Sequence, residues 1–238
     1  MEKKGLVEIK KGQTGTGLLI ENDGYISSEL GNNKKLFEDI NAARKGGDEF
    51  YCPHPFVVSA VFQKYGIENA NGRIYPESVL RREVEKYMEK VREKRGIGEC
   101  NHPSESTIDL SRVAINIIDL RWEGRTLVGE LEILTSPGFR KHGIISCEGD
   151  QVANLILSGI KIGVSSRGLG SVTNKMGILY VDDDYEIVCW DVVSDPSTPG
   201  AWISDSYEKL QPYVESKENE SKPKLFEDLK KFDNWLNN

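Results

Sequence analysis

Arg112-Val-Ala-Ile-Asn-Ile-Ile-Asp-Leu-Arg-Trp-Glu-Gly-Arg-Thr-Leu-Val-Gly-Glu-Leu-Glu-Ile-Leu134 contains two runs rich in Ile, Val and Leu that meet at Glu123-Gly124. Short β-prone runs separated by a glycine turn spell an antiparallel hairpin. Downstream, Asp150 reads as the cap of a helix over Gln151 to Ser158, with Gly159 suited to a left-handed stop. The chain then enters Gly163-Val-Ser-Ser-Arg-Gly-Leu-Gly-Ser171, and Ile178 to Val181 with Tyr185 to Val193 makes a further strand pair around Asp182-Asp-Asp184. Upstream, Pro76 can open a helix whose apolar residues Val79, Leu80, Val84, Tyr87, Met88 and Val91 share one face until Gly96 stops it. Strand pairs with helices between them predict an α+β domain of mainly antiparallel strands.

The ends read differently. Residues 1–50 are glycine-rich and charged with one short apolar run, Leu18-Leu-Ile20, and so are expected to be an N-terminal extension with at most a hairpin. The compact domain is expected over 51–214. Residues 215–238 are a polar linker followed by Leu225, Phe226, Leu229, Phe232 and Leu236 at helical spacing, an amphipathic tail in want of a partner surface.

A formal charge of -7 over 238 residues, with a pI near 5.2, argues against a nucleic-acid ligand, which needs clustered basic side chains. Met1 to Glu8 lacks a signal-peptide core and no apolar run is long enough for a membrane span, which points to a cytosolic protein with reduced thiols. Cys52-Pro-His54 and Cys100-Asn-His102 repeat a Cys-x-His-Pro pattern, but their one-residue gap is shorter than usual zinc-ligand spacing. The adjacent acids of Asp182 to Asp184 lack the alternation of a calcium loop. No metal and no cofactor are expected.

Histidine is scarce, with only His54, His102 and His142. A serine hydroxyl needs a base within hydrogen-bond reach and a third group to orient that base. His102, between Asn101 and Pro103 in a polar turn, is the best base. Ser165 and Ser166 compete as nucleophile, because neighbours on an extended segment point to opposite sides. Their other reading is backbone capping at a strand end. The third member is Asp191, after the apolar run Ile187 to Trp190, or Glu99. Gly163, Gly168 and Gly170 would permit positive φ and amides converging on an oxyanion, and Arg167 is either a clamp on that charge or a surface arginine. Leu169 and Gly170 after Gly168 exclude a phosphate loop.

Four blocks in order carry a resemblance: Asn69-Ala-Asn-Gly-Arg-Ile-Tyr-Pro76, Gly98-Glu-Cys-Asn-His-Pro103, Gly163 to Ser171, and Trp190-Asp191 through Asp195-Pro-Ser-Thr-Pro-Gly-Ala-Trp202. From Tyr51 to Trp202 the chain resembles the prohead core proteases of T-even-like tailed bacteriophages, distant kin of herpesvirus assemblins. The resemblance implies an assemblin-like β-barrel flanked by helices. It places His102 on the family's histidine and Ser165 on its serine. Assemblins carry their third member on a strand beyond the serine, which favours Asp191. The amides of Ser166, Arg167 and Gly168 become oxyanion candidates. Arg73 becomes a candidate reader of a substrate carboxylate, with a structural ion pair as the alternative. His54 and His142 fall outside the blocks.

Related proteases cut after Glu with Leu or Ile two residues before it. Leu36-Phe37-Glu38-Asp39 and Leu225-Phe226-Glu227-Asp228 repeat that pattern near the two ends, and Leu19-Ile20-Glu21 is a weaker copy. The resemblance thus implies a serine endopeptidase made as a zymogen, acting in the host cytoplasm inside the prohead on scaffold and major capsid proteins and on itself, without membrane or nucleic-acid partners. The alternative is a non-enzymatic capsid-assembly or scaffold protein whose C-terminal helix binds a partner and whose serine motif is a strand-end turn.

Overall fold

The computed structural model describes residues 7–26, 30–46, 50–103 and 105–194. The tail over 215–238, with Glu227, lies outside them. The elements in chain order are β1 (Gly15–Ile26), α1 (Asn33–Lys45), β2 (Phe56–Lys64), β3 (Arg73–Ile74), α2 (Glu77–Arg92), β4 (Ile97–Glu99), β5 (Val113–Glu123), β6 (Thr126–Ile133), α3 (Pro137–His142), α4 (Glu148–Leu157), β7 (Gly163–Lys175), β8 (Ile178–Val181) and β9 (Glu186–Val193). This is a mixed α+β domain.

The strands form one sheet in the order β3-β8-β7-β1-β2-β6-β5-β4, with β9 also paired to β7. Among the described strands the short β3–β8 ladder is parallel and the other ladders are antiparallel. The β5–β6 ladder closes at Gly124, whose φ of 58° supplies the left-handed turn. Just past β4, an isolated bridge joins Cys100 to Val192 of β9, so the sheet curls until its ends touch. A closed barrel, as the resemblance implied, is more than this one bridge provides.

The largest departure from the sequence reading is β1. Residues 15–26 are no extension: β1 lies between β7 and β2, and Leu18, Leu19 and Ile26 are fully buried. Its glycines and polar residues hid a strand stabilised by neighbours on both edges more than by its own apolar content. α1 docks on β2, where the Asn33 side chain donates to the Ser59 carbonyl and accepts from the Ser59 amide, both at 2.7 Å. The compact domain therefore begins well before Phe50.

α2 follows Pro76 as expected and buries Val79, Leu80, Val84, Tyr87 and Val91. Trp190 of β9 locks it to the sheet, packing edge-on against Tyr87 at 4.8 Å and Phe62 at 5.6 Å. In α4 the N-cap is Cys147, and Asp150 sits three positions later. From there its carboxylate accepts from the Ser136 amide and hydroxyl at 2.6 and 2.7 Å, and from the Ser146 amide at 2.9 Å. One buried acid thus ties the end of β6 to the starts of α3 and α4.

Burial would push the Asp150 carboxyl up, but the Ser136 and Ser146 hydrogen bonds outweigh it and hold it down at about 2. Because folding lowers this pKa, the stabilisation is complete above the ordinary value of 3.8 and is lost as pH falls through about 2. Asp150→Asn is therefore expected to lower stability by about 2 kcal/mol near neutral pH. In denaturant unfolding followed across pH, its deficit against the wild type should shrink between about pH 4 and pH 2.

Candidate active site

Ser165 and Asp191 face each other directly across the β7–β9 ladder. Cross-strand partners project from the same face of a sheet, so register alone brings the two side chains together. The adjacent pair, Ser166 opposite Trp190, points the other way, which takes Ser166 off this face. His102 arrives from the loop after β4. Asn101 adopts φ 64°, a conformation asparagine tolerates, and its amide donates to the Val192 carbonyl at 2.8 Å. That turn carries the imidazole over the Ser165–Asp191 pair. β4 can approach β9 so closely because Gly98 has no Cβ: one there would run into the Trp190 carbonyl.

His102 Nδ1 donates to Asp191 Oδ2 at 2.8 Å, and Nε2 makes a short contact with Ser165 Oγ. A carboxylate only accepts, so the hydrogen sits on Nδ1, and in the neutral imidazole Nε2 is left bare toward the serine. Ser165 and Asp191 are fully buried, whereas the His102 side chain keeps 12% of its surface exposed.

Asp191 is surrounded by compensation. Its Oδ1 accepts from the Glu99 amide at 2.9 Å and from the Cys189 thiol at 3.3 Å. The guanidinium of Arg167 lies alongside, with Nε 3.0 Å from Oδ2 and Nη2 3.3 Å from Oδ1. Arg167 also pairs with the Glu99 carboxylate at 3.2 Å and donates to the Glu105 carbonyl at 2.6 Å. Burial opposes charge on Arg167, but Cys189, Asp191 and Glu99 outweigh it and raise its pKa. Burial, with Asp191 beside it, pushes the Cys189 thiol up, so near neutral pH it is an uncharged donor, and Asp191 and Glu99 carry the negative charge that faces Arg167 there.

Several sequence expectations change here. Arg167 is neither a surface residue nor free to meet an oxyanion: it is the buried counter-ion of Asp191 and Glu99. Ser166, Arg167 and Gly168 belong to a strand paired on both edges, by β1 and β9, with a register shift against β9 between Arg167 and Gly168. Gly168 and Gly170 are needed for close approach, not for positive φ, because a Cβ at either would collide with Tyr185. Arg73 is buried and ion-paired to Glu21 at 2.5 Å, which closes it to a substrate carboxylate. Glu99 supports the site through its amide and through Arg167, with its carboxylate turned to Arg167 and to the Asp109 amide. Glu38 is exposed on α1, with Leu36 and Phe37 half-buried, whereas Glu21 is inside the sheet.

His54 is exposed on a groove with Glu132, Thr135 and Cys147, and His142 is exposed at the end of α3. Among the described residues no cluster of His, Cys, Asp and Glu could hold a metal ion, and no helix is long and apolar enough to cross a membrane. The three acids after β8 each take a different partner: Asp182 accepts from Thr173, Asp183 pairs with Arg82, and Asp184 accepts from Ser171.

A hydroxyl, an imidazole and a buried carboxylate in line on a curled sheet are the parts of a serine hydrolase site. A family model described as prohead core protein serine protease matches residues 18–209, and the chain belongs to that family. It is 35% identical over 150 residues to the prohead core protein protease of Enterobacteria phage T4, spanning 62% of this chain and 67% of that one. The solved structure of the bacteriophage T4 capsid assembly protease, gp21, superposes with a TM-score of 0.59 at 25% identity, covering 75% of this chain and 98% of that chain.

If Arg167 is the counter-ion of two buried acids, Arg167→Leu should destabilise the fold by about 3–5 kcal/mol in denaturant unfolding. An oxyanion clamp would instead lose activity with stability intact. Breaking the exposed Arg95–Glu93 pair should cost under about 1 kcal/mol.

Proposed function

We propose that this chain is a prohead maturation endopeptidase in which Ser165 attacks the scissile carbonyl while His102 takes its proton and later returns it to the leaving amine. Asp191 holds His102 in the tautomer that leaves Nε2 free and stabilises the imidazolium formed during attack. The observation that carries this reading is the contact order Asp191 to His102 Nδ1 and His102 Nε2 to Ser165 Oγ. Family membership supports the reaction class. No step calls for a cofactor.

On this reading the substrates are scaffold and capsid proteins inside the prohead, cut after Glu in Leu/Ile-x-Glu segments, and the chain is made as a zymogen that also cuts itself. Glu38 is the accessible candidate site among the described residues. Its place in α1 means that the helix must open locally before a protease can bind it in extended form, as marginal surface helices do. Glu227 is the matching candidate at the other end.

Time-resolved mass spectrometry of the purified chain tests both claims. Wild type should shorten to species ending at Glu38 and Glu227, and Ser165→Ala should stay at full length. Asp191→Asn should slow the process by about four orders of magnitude through the wrong tautomer of His102. Trimming of Ser165→Ala at wild-type rate, or loss of activity in Ser166→Ala in its place, would overturn the assignment.

A further inference from the structure

The block Asn69-Ala-Asn-Gly-Arg-Ile-Tyr75 supplies no member of the triad, yet its polar side chains converge on one atom group. Glu21 of β1 is fully buried, and its carboxylate accepts from Asn69 Nδ2 at 2.6 Å, Asn71 Nδ2 at 2.8 Å, Arg73 Nη1 at 2.5 Å and Tyr75 Oη at 2.8 Å. Asn71 Nδ2 also donates to the Ile20 carbonyl at 2.9 Å, and Arg73 donates to the Ile9 carbonyl. The block braces itself: Asn69 Oδ1 accepts from the Asn71 and Arg73 amides, both at 3.0 Å. Four donors, one of them cationic, are what a buried carboxylate needs.

Glu21 stands where β1 loses register with β7. It pairs with Ser166, the next β1 residue in register is Gly24 opposite Val164, and so Ser165 is the β7 residue that faces the irregularity. Bulges of this kind re-aim backbone groups beside active sites. Here the Glu21 carbonyl accepts from Ser165 Oγ at 2.7 Å. The hydroxyl has one hydrogen and two acceptors, this carbonyl and His102 Nε2. Rotation about the Cβ–Oγ bond passes the hydrogen from one to the other without moving the oxygen.

We propose that Asn69, Asn71, Arg73 and Tyr75 are positioning residues for the nucleophile: they clamp Glu21, whose main-chain carbonyl fixes Ser165 Oγ within reach of His102. The proposal rests on the reading of Ser165 as nucleophile. It gives the block a role in the chemistry that requires no contact with substrate. Loosening the clamp lets Oγ leave the line to Nε2, which lowers reactivity without altering how a ligand is held.

The test uses the full chain and a diaryl phosphonate, with labelling located by peptide mapping. Tyr75→Phe removes one hydroxyl and keeps the ring against Tyr185, and Asn71→Ala removes the donor shared by Ile20 and Glu21. Each is expected to lower the limiting rate of Ser165 phosphonylation by about 5- to 50-fold, with the reagent's half-saturation concentration within about twofold of wild type and near-UV circular dichroism retained. Wild-type limiting rates in both variants, a change in half-saturation alone, or a loss that tracks loss of folded protein would overturn the proposal while leaving Ser165 as nucleophile. A wild type unlabelled at Ser165 would overturn the parent reading and this one together.

Discussion

The buried carboxylate of Asp191 is the constraint around which the site is organised. A lone charge without exposed surface is penalised by several kcal/mol, so its neighbours must compensate it. They come from three separated parts of the chain: the Glu99 amide and His102 around β4, Arg167 from β7, and Cys189 from β9 itself. Satisfying the acid therefore draws these strands together. The same contacts set the imidazole at the angle that points Nε2 to Ser165.

A second buried acid, Glu21, does for the other edge of β7 what Asp191 does for the first. Ser165 thus lies between two strands, each carrying an internal carboxylate with an arginine of its own. Neither arginine has surface left for a ligand. Charge in this protein is used to hold strands in register beside Ser165, and on the proposed reading the groups left to meet substrate are its hydroxyl and the His102 imidazole.

Much of this was legible in the chain. The β5–β6 hairpin, α2 and the late strand pair follow from apolar runs bounded by Gly and Pro, because their burial is dictated by their own residues. Of the three residues in contact, His102 stands out because histidine is scarce, whereas the choice of Ser165 over Ser166 and of Asp191 over Glu99 follows from the family resemblance of the blocks around them. β1 was not legible: the apolar residues of Gly15 to Ile26 are split by Glu21-Asn-Asp-Gly24 and break the alternation of a strand, and its burial depends on β2 and β7, which the local pattern does not reveal. The glycines of β7 misled for a related reason. Their role is to admit Tyr185, a partner remote in sequence. Arg73 and Arg167 likewise looked available for ligands because nothing in their neighbourhoods names Glu21 or Asp191 as partners. Asn101 offered a missed local signal, since an asparagine before the candidate base suits the left-handed turn that swings the ring into place.

The central claim is that Asp191, His102 and Ser165 act as one chemical unit, and it is tested most directly by a crystal structure of the chain after reaction with an active-site-directed phosphonate. The account predicts phosphorus bonded to Ser165 Oγ, with His102 still bridging Asp191 and the adduct. Phosphorus on Ser166 or another side chain, or an adduct at Ser165 with His102 turned away from Asp191, would contradict it.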